Sequence, residues 1–229
     1  MQPYTEPRLQ AMHSERPRER LLRHGANVLT SAELLAIVLR TGMNGCDAVM
    51  LGHRLLLKFG NLRNLLNADQ QSLLATPGLG QAKVCELLAI HELHRRITTE
   101  ELRRGEVLNQ PQRVKDYCIA HLGHLKIEHC MALYLDSQFQ LISSEEVARG
   151  TLTQASVYPR EIIKSALKHH AAALILAHNH PSGVKEPSRA DLHLTQHLQK
   201  ALSLVDIRLL DHLIVTATEA ISLAEQGHM

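Results

Sequence analysis

Two histidines one residue apart, His178 and His180, are followed by Pro181, six further residues, Ser188 and then Asp191 in the stretch AHNHPSGVKEPSRAD (177–191). Imidazole and carboxylate are both zinc ligands, and three protein ligands with a fourth position left for water are the arrangement of a catalytic zinc site, not a closed structural one. In an extended strand, positions i and i+2 point to the same face, so His178 and His180 can offer two imidazoles to one point. Pro181, Ser182 and Gly183 would end that strand, and Ser188 with Asp191 reads as a helix entrance, an N-cap followed by a carboxylate in the first turn. A strand end and a helix start joined by a short loop can approach closely, which makes His178, His180 and Asp191 a ligand set for one zinc ion per chain. The same set would also take iron or cobalt. Each element alone has a plainer account: in a chain with 16 histidines the HxH pair can be chance, and Ser188 and Asp191 can be only a cap and a dipole-compensating carboxylate. It is the whole pattern, placed at the end of an apolar run, that points to metal chemistry.

Hydrolysis needs one more group, a carboxylate that takes the proton of the attacking water and hands it to the leaving amine. Glu145 and Glu146 in SSEEVARGTL are adjacent carboxylates on a strand-like run, and strand alternation lets only one of the two face a given point. Two solvated strand-end carboxylates are the alternative reading. Asp211 and His212 in LLDHLIV fit either partners that orient a ligand or a buried hydrogen-bonded pair closing a strand. His169, His170, His193 and His197 read as helix-surface histidines and receive no function.

The elements that must position these groups lie in the second half of the chain. RVKDYCIAHLGHL reads as a helix, HCMALYLDSQFQLISSEEVARGTL as two strands about a turn at Asp136–Gln138, and YPREIIKSALKHH as a helix with Pro159 near its first turn. AAALILAHNH is a short continuous apolar run of the kind a buried strand shows, PSRADLHLTQHLQKALSL is helical, and DIRLLDHLIVTAT reads as the final strand. Alternation of helix and strand makes this half an α/β or α+β domain. From Arg18 to about Arg96 the apolar period is helical throughout, with one helix start signalled at Ser31, its stop at Gly42, and a second helix ending at Gly60. The charged segment 97–114, with Gly105 and Pro111, reads as the boundary, giving a helical domain over 1–106 and an α/β domain over 107–229.

Composition excludes several classes. Apolar residues at 45% with 21% charged are those of a globular chain with a real core, and 25 Lys plus Arg against 23 Asp plus Glu is a balance that neither demands nor excludes nucleic acid. The charged N-terminus and short apolar runs predict a cytoplasmic protein with no signal peptide and no membrane span. Cys46, Cys85, Cys118 and Cys130 lie far apart without a CxxC, which predicts reduced thiols and no cysteine zinc site.

The helical half carries a softer signal. LLATPGLGQAKVCELLA has the form of a helix-hairpin-helix near residues 73–90, with Gly78–Gly80 at the turn and Lys83 on the second helix. Amide N–H groups exposed at such a turn can hold a DNA phosphate, with Arg95, Arg96, Arg103 and Arg104 nearby to help; a tight interhelical turn beside a solvated helix explains the same residues.

HNHPSGVKEPSRAD matches HxHPx6SxxD, the signature of the JAMM (MPN-type) zinc metalloproteases, and the chain resembles the RadC family nearly end to end through RPRERLLRHGANVLTSAELLAIVLRTG, TPGLGQAKVCELLA, GTLTQASVYPREIIKSAL, ALILAHNHPSG and LLDHLIV. The resemblance implies an MPN (JAMM, cytidine-deaminase-like) fold for residues 107–229, with zinc on His178, His180 and Asp191. It also implies that the Ser188 hydroxyl helps hold the oxyanion or the water and that the base is a glutamate of an upstream strand, which makes Glu145 and Glu146 the candidates and favours Glu146, four residues before the Gly-Thr pair. The expected activity is zinc-dependent hydrolysis of an amide in a peptide or protein. The alternative is a DNA-binding accessory protein of repair or recombination in which the zinc site is structural.

Overall fold

The structure, a computed structural model, describes residues 15–103, 107, 110–150 and 157–229. The first fourteen residues, Arg104 and Gly105 of the expected boundary segment, and positions 151–156 of the Gly-Thr stretch lie outside the described residues. The chain divides into two compact units, residues 1–92 and 93–229.

The described part of the first unit is helical, as its period predicts. It runs through α1 (Pro17–His24), a 3₁₀ turn at Ala26–Val28, α2 (Ser31–Leu39), α3 (Ala48–Phe59), α4 (Leu62–Leu66) and α5 (Gln70–Leu74) into α6 (Gln81–Arg103). Short polar caps start these helices: Asp47, Asn61 and Asp69 each accept the backbone N–H three residues on. The cap of α2 is Thr30, one residue before the expected Ser31, because only Thr30 stands three before Glu33 and can form the reciprocal capping box. After α2 the backbone turns at Arg40, and Gly42 is required because a Cβ there would meet the Cys46 carbonyl oxygen at 1.9 Å. Leu35, Leu39, Leu51, Leu55, Leu65, Leu73 and Leu87 form this unit's core.

The helix α6 continues through residues 97–103, which the sequence reading assigned to a linker. Among residues 97–102 only Thr98 and Leu102 are buried, with Ile97, Glu100 and Glu101 exposed, so no clean apolar stripe betrays the helix in the sequence. Leu102 and Val107 join the core of the second unit.

In that unit, α7 (Pro111–Leu122) leads into β1 (His129–Leu135) and β2 (Leu141–Arg149), then α8 (Pro159–Lys168), β3 (Ala173–Asn179), α9 (Arg189–Ser203), β4 (Arg208–Val215) and β5 (Ala220–Ser222). The sheet order is β2-β1-β3-β4-β5; β3 and β4 are parallel, as the α9 crossover requires, and the other pairs are antiparallel. The predicted turn at Asp136–Gln138 is present, its carboxylate accepting the N–H groups of Gln138 and Gln140. β4 is not the final strand: β5 follows, three residues long and too short to carry a period of its own.

Strands β1 and β3 are buried along their whole length, which is why they read as unbroken apolar runs. One sheet face packs Met131, Leu133, Ile175 and Ala177 with Val114, Tyr117 and Cys118 of α7. The other packs Cys130, Ala132, Leu174 and Leu176 with Ile162 and Ala166 of α8 and Leu194, Leu198 and Leu202 of α9. Helix layers therefore cover both faces, and the residue parity along each strand decides which layer a side chain meets.

Candidate metal centre

His178 shares the parity of Leu174 and Leu176, so its ring points to the α8/α9 face, where α9 begins. His180 follows the end of β3; its N–H donates to the Val215 carbonyl at 2.8 Å and its Nδ1 meets the Val184 carbonyl, also at 2.8 Å. The Gly183 N–H closes the turn on the His180 carbonyl, and the positive φ of 79° at Gly183 is what allows the chain to fold back under the ring. Ser188 caps α9 and accepts the Asp191 N–H at 3.1 Å, while the Ser188 N–H donates to Asp191 Oδ2 at 2.7 Å. That box fixes the Asp191 carboxylate at the helix entrance, its positive end.

The three expected ligands meet. His178 Nε2 and His180 Nε2 are 2.9 Å apart, and the Asp191 oxygens stand 3.3 Å from the first and 3.5 Å from the second. Ligands at about 2.0–2.1 Å from one tetrahedral ion are separated from each other by about 3.3 Å, so this spacing fits a zinc-sized ion without rearrangement. Among the described residues this is the one group of three or more His, Cys, Asp or Glu side chains able to converge on a metal ion. The donor chemistry agrees: His180 Nδ1 can only donate to the Val184 carbonyl, which leaves the Nε2 lone pair of the neutral ring aimed at His178 and Asp191. His178 is 0% exposed and Asp191 3%, while His180 is only partly buried.

Electrostatics bind the group together. Burial alone would raise the Asp191 carboxyl, but in the metal-free centre, whenever the rings carry Nε2 protons, hydrogen bonds from His178 and His180, the charge of His178 and the Ser188 cap outweigh it and hold it well below the usual carboxylate range. The hydrogen bond to Asp191 raises the pKa of His180 against its desolvation, helped by the Val184 carbonyl and by the negative charges of Asp191 and Glu128. Burial pushes His212 well below its usual value, with the nearby His178 acting in the same direction. Burial, with the Asp191 charge, likewise raises the Cys130 thiol, which stays protonated.

The two glutamates expected as bases are not brought to this centre. Glu146 pairs with Met131 and lies on the α7 face, as does Ser144, which bonds Tyr117 of α7 at 2.6 Å. The Glu146 carboxylate is taken by His129 Nδ1 at 2.8 Å. Glu145 has the opposite parity, but it stands beside Ala132, two residues along β1 from the Cys130 that faces His178. It accepts from Ser165, and His169 Nε2 lies at 2.6 Å. His169 is therefore a structural partner, not a bare surface histidine.

A carboxylate that the sequence reading did not consider acts on the centre electrostatically. Cys130 pairs with His178 in antiparallel register, so two residues earlier Glu128 comes opposite His180, and its charge acts on that ring. Asn179, the middle residue of the HxH, faces the other way and ties down the approach to β1: its Oδ1 accepts the His129 N–H at 2.7 Å and its Nδ2 donates to the Leu125 and Ile127 carbonyls. The signal in the sequence is weak, a glutamate directly before the first strand, and it gains meaning only once β1 is known to pair with β3.

His212 is buried against His178, with Nδ1 of His178 2.8 Å from Nε2 of His212. Asp211 serves elsewhere, accepting from Ser222 and from the Ala224 N–H. In the first unit, the Lys83 ammonium of the expected hairpin is held by the carbonyls of Gly42 at 2.8 Å and Gly78 at 3.0 Å. The four cysteines are free thiols, and among the described residues no helix is long and apolar enough to cross a membrane.

Residues 108–228 match the family described as a RadC-like JAB domain, and residues 10–85 match the UPF0758 N-terminal family. A UPF0758 protein of Bordetella parapertussis is 57% identical to this chain, over 93% of it and 95% of the relative. UPF0758 proteins of Chromobacterium violaceum and Nitrosomonas eutropha are 54% and 51% identical, each over 93% of this chain and 96% of the relative.

Proposed function

The chain belongs to the RadC family, with its JAB domain and UPF0758 N-terminal region, and from that membership we propose that its second unit is a zinc-dependent metallopeptidase or isopeptidase-like hydrolase acting on a peptide or protein amide. One observation carries the reading: two imidazole nitrogens and one carboxylate, drawn from a strand end and a helix start, converge at the spacing of a tetrahedral ion. His178, His180 and Asp191 would hold the zinc, which when bound acts as a Lewis acid toward an amide carbonyl and toward water.

The protein's own groups do the rest. Glu128, whose charge acts on His180, would accept the proton of the attacking water on its carboxylate and return it to the leaving amine nitrogen. The Ser188 oxygen already accepts the Asp191 N–H, so its single proton is left to donate to the carbonyl oxygen as negative charge develops there. Capping and catalysis use different sides of the same hydroxyl. Glu145 and Glu146, each held by a histidine, are spectators in this scheme.

Elemental analysis of purified wild type beside His178→Ala and Asp191→Asn tests the metal. About one zinc per chain in the wild type and none in the variants is the expected result; a wild type that stays empty after reconstitution ends the reading. Hydrolysis of a peptide and isopeptide panel by Glu128→Gln, Glu145→Gln and Glu146→Gln then assigns the base.

A further inference from the structure

We propose that His212 and Thr195 are positioning residues of this centre, which together hold His178 in the tautomer whose Nε2 lone pair faces His180 and Asp191; the inference rests on the metal-hydrolase reading for its purpose but not for its geometry. The argument follows single protons. Thr195 stands one helical turn after Asp191 on α9, and its hydroxyl lies 2.7 Å from the Asp191 backbone carbonyl and 2.6 Å from His212 Nδ1. A carbonyl oxygen can only accept, so the one hydroxyl proton goes there. The contact to His212 then requires Nδ1–H of His212 to donate to the Thr195 oxygen. His212 is fully buried between a hydroxyl and another imidazole, a setting that keeps it neutral with one ring proton, so its Nε2 is a bare acceptor. That acceptor is 2.8 Å from His178 Nδ1, which must carry the proton between them. The remaining nitrogen of neutral His178 is left unprotonated where the other two ligands converge.

The chain of bonds is anchored at both ends. Asp191 supplies a ligand oxygen from its side chain and, from its backbone carbonyl, the acceptor that decides which way the Thr195 proton points. β3, β4 and α9 each contribute one link, so two of the three ligands are set by one relay that never touches solvent: His178, Thr195 and His212 are all 0% exposed. A valine in place of Thr195 keeps the shape but removes the acceptor. His212 would then be free to carry its proton on Nε2 and donate to His178 Nδ1, which moves the His178 proton onto Nε2 and blocks the ligand position.

The test compares wild type, Thr195→Val, Thr195→Ser and His212→Gln. In zinc-free protein, long-range proton–nitrogen NMR of the imidazoles should show wild-type His178 and His212 both protonated on Nδ1, and Thr195→Val should shift His212 toward the Nε2–H form. Zinc competition with a chromophoric chelator should show Thr195→Val weakened by about 10–100-fold, with Thr195→Ser, which keeps the hydroxyl, restored to the wild-type value. His212→Gln, whose side-chain oxygen can accept from His178, should stay closer to wild type than Thr195→Val. A merely structural threonine would lower Tm without moving the tautomers. Wild-type His212 protonated on Nε2, or a Thr195→Val variant with unchanged tautomers and unchanged zinc affinity, overturns the proposal. A wild type that binds no zinc defeats the hydrolase reading instead, and the tautomers still decide this one.

Discussion

Two histidine–carboxylate groups on the same sheet face make opposite use of the same chemistry. Around Glu145, every donor has an acceptor: Ser165 and His169 both give their protons to one carboxylate that remains about a third exposed. Around Asp191, with both imidazoles neutral, three groups present lone pairs to one another in a nearly dry setting. The first arrangement is complete as it stands. The second then holds more acceptors than protons, a deficit that a cation would fill. Residue types are nearly the same in both, but the His169–Glu145 contact is 2.6 Å while the imidazoles stand 3.3 and 3.5 Å from Asp191, and what distinguishes the candidate metal centre is where the protons on the far side of each ring are committed.

The largest test of that contrast is at the carboxylates. Asp191→Asn removes the charge that offsets ion desolvation and should abolish zinc binding, whereas Glu145→Gln should leave zinc content unchanged by elemental analysis. Glu128→Gln should keep the metal yet lower kcat/KM by about 10²–10⁴-fold. Retained activity in Glu128→Gln, with loss in Glu145→Gln or Glu146→Gln, would falsify the assignment of the base and return it to the strand β2.

Zinc itself supplies the next effect. At a free concentration of about 100 times Kd, an ion that binds only the folded chain adds about 2.7 kcal/mol of stability. Calorimetry should therefore show a zinc-dependent rise in Tm for wild type and for Glu145→Gln, and none for His178→Ala.

These two groups also show what the sequence could and could not yield. His178, His180, Ser188 and Asp191 were legible because all their geometry is local: a strand parity, a turn and a capping box within fifteen residues. The assignment of Glu146 rested on a position in the chain, and a bulge in β2 between its partners Cys130 and Met131 sets the parity that no local pattern reveals. Glu128, His212 and Thr195 reach the centre only through pairing of β1 and β4 with β3 and through the docking of α9. The same limit applies to the fold: unbroken apolar runs announced β1 and β3, while the three residues of β5 and the mostly exposed last turns of α6 carried no period to read.

Acid sharpens the comparison from the other side. Hydrogen bonds from Ser165 and His169 hold the Glu145 carboxyl below its ordinary value of 4.5. The folded state thus binds that proton less readily than the unfolded chain, so the contribution is fully present above the ordinary value and is lost as pH falls through the lowered one. Urea titrations across that window should show wild type losing stability faster than Glu145→Gln, which has no such proton to take up. Equal slopes would mean that the pair contributes nothing beyond its packing.

The smallest expected effect concerns Lys83, a third case of a group already satisfied. With its ammonium on the Gly42 and Gly78 carbonyls, Lys83 ties the turn after α2 to the turn before α6 and has its charge directed into the protein. Lys83→Met should therefore cost about 1.5–3 kcal/mol of stability, the range for hydrogen bonds to a charged group. If the first unit binds DNA through the amide N–H groups at Gly78–Gly80, the salt dependence of that binding should be the same in Lys83→Met as in wild type. A slope reduced by about one would instead make Lys83 a phosphate contact and favour the hairpin as a nucleic-acid surface over a packed turn.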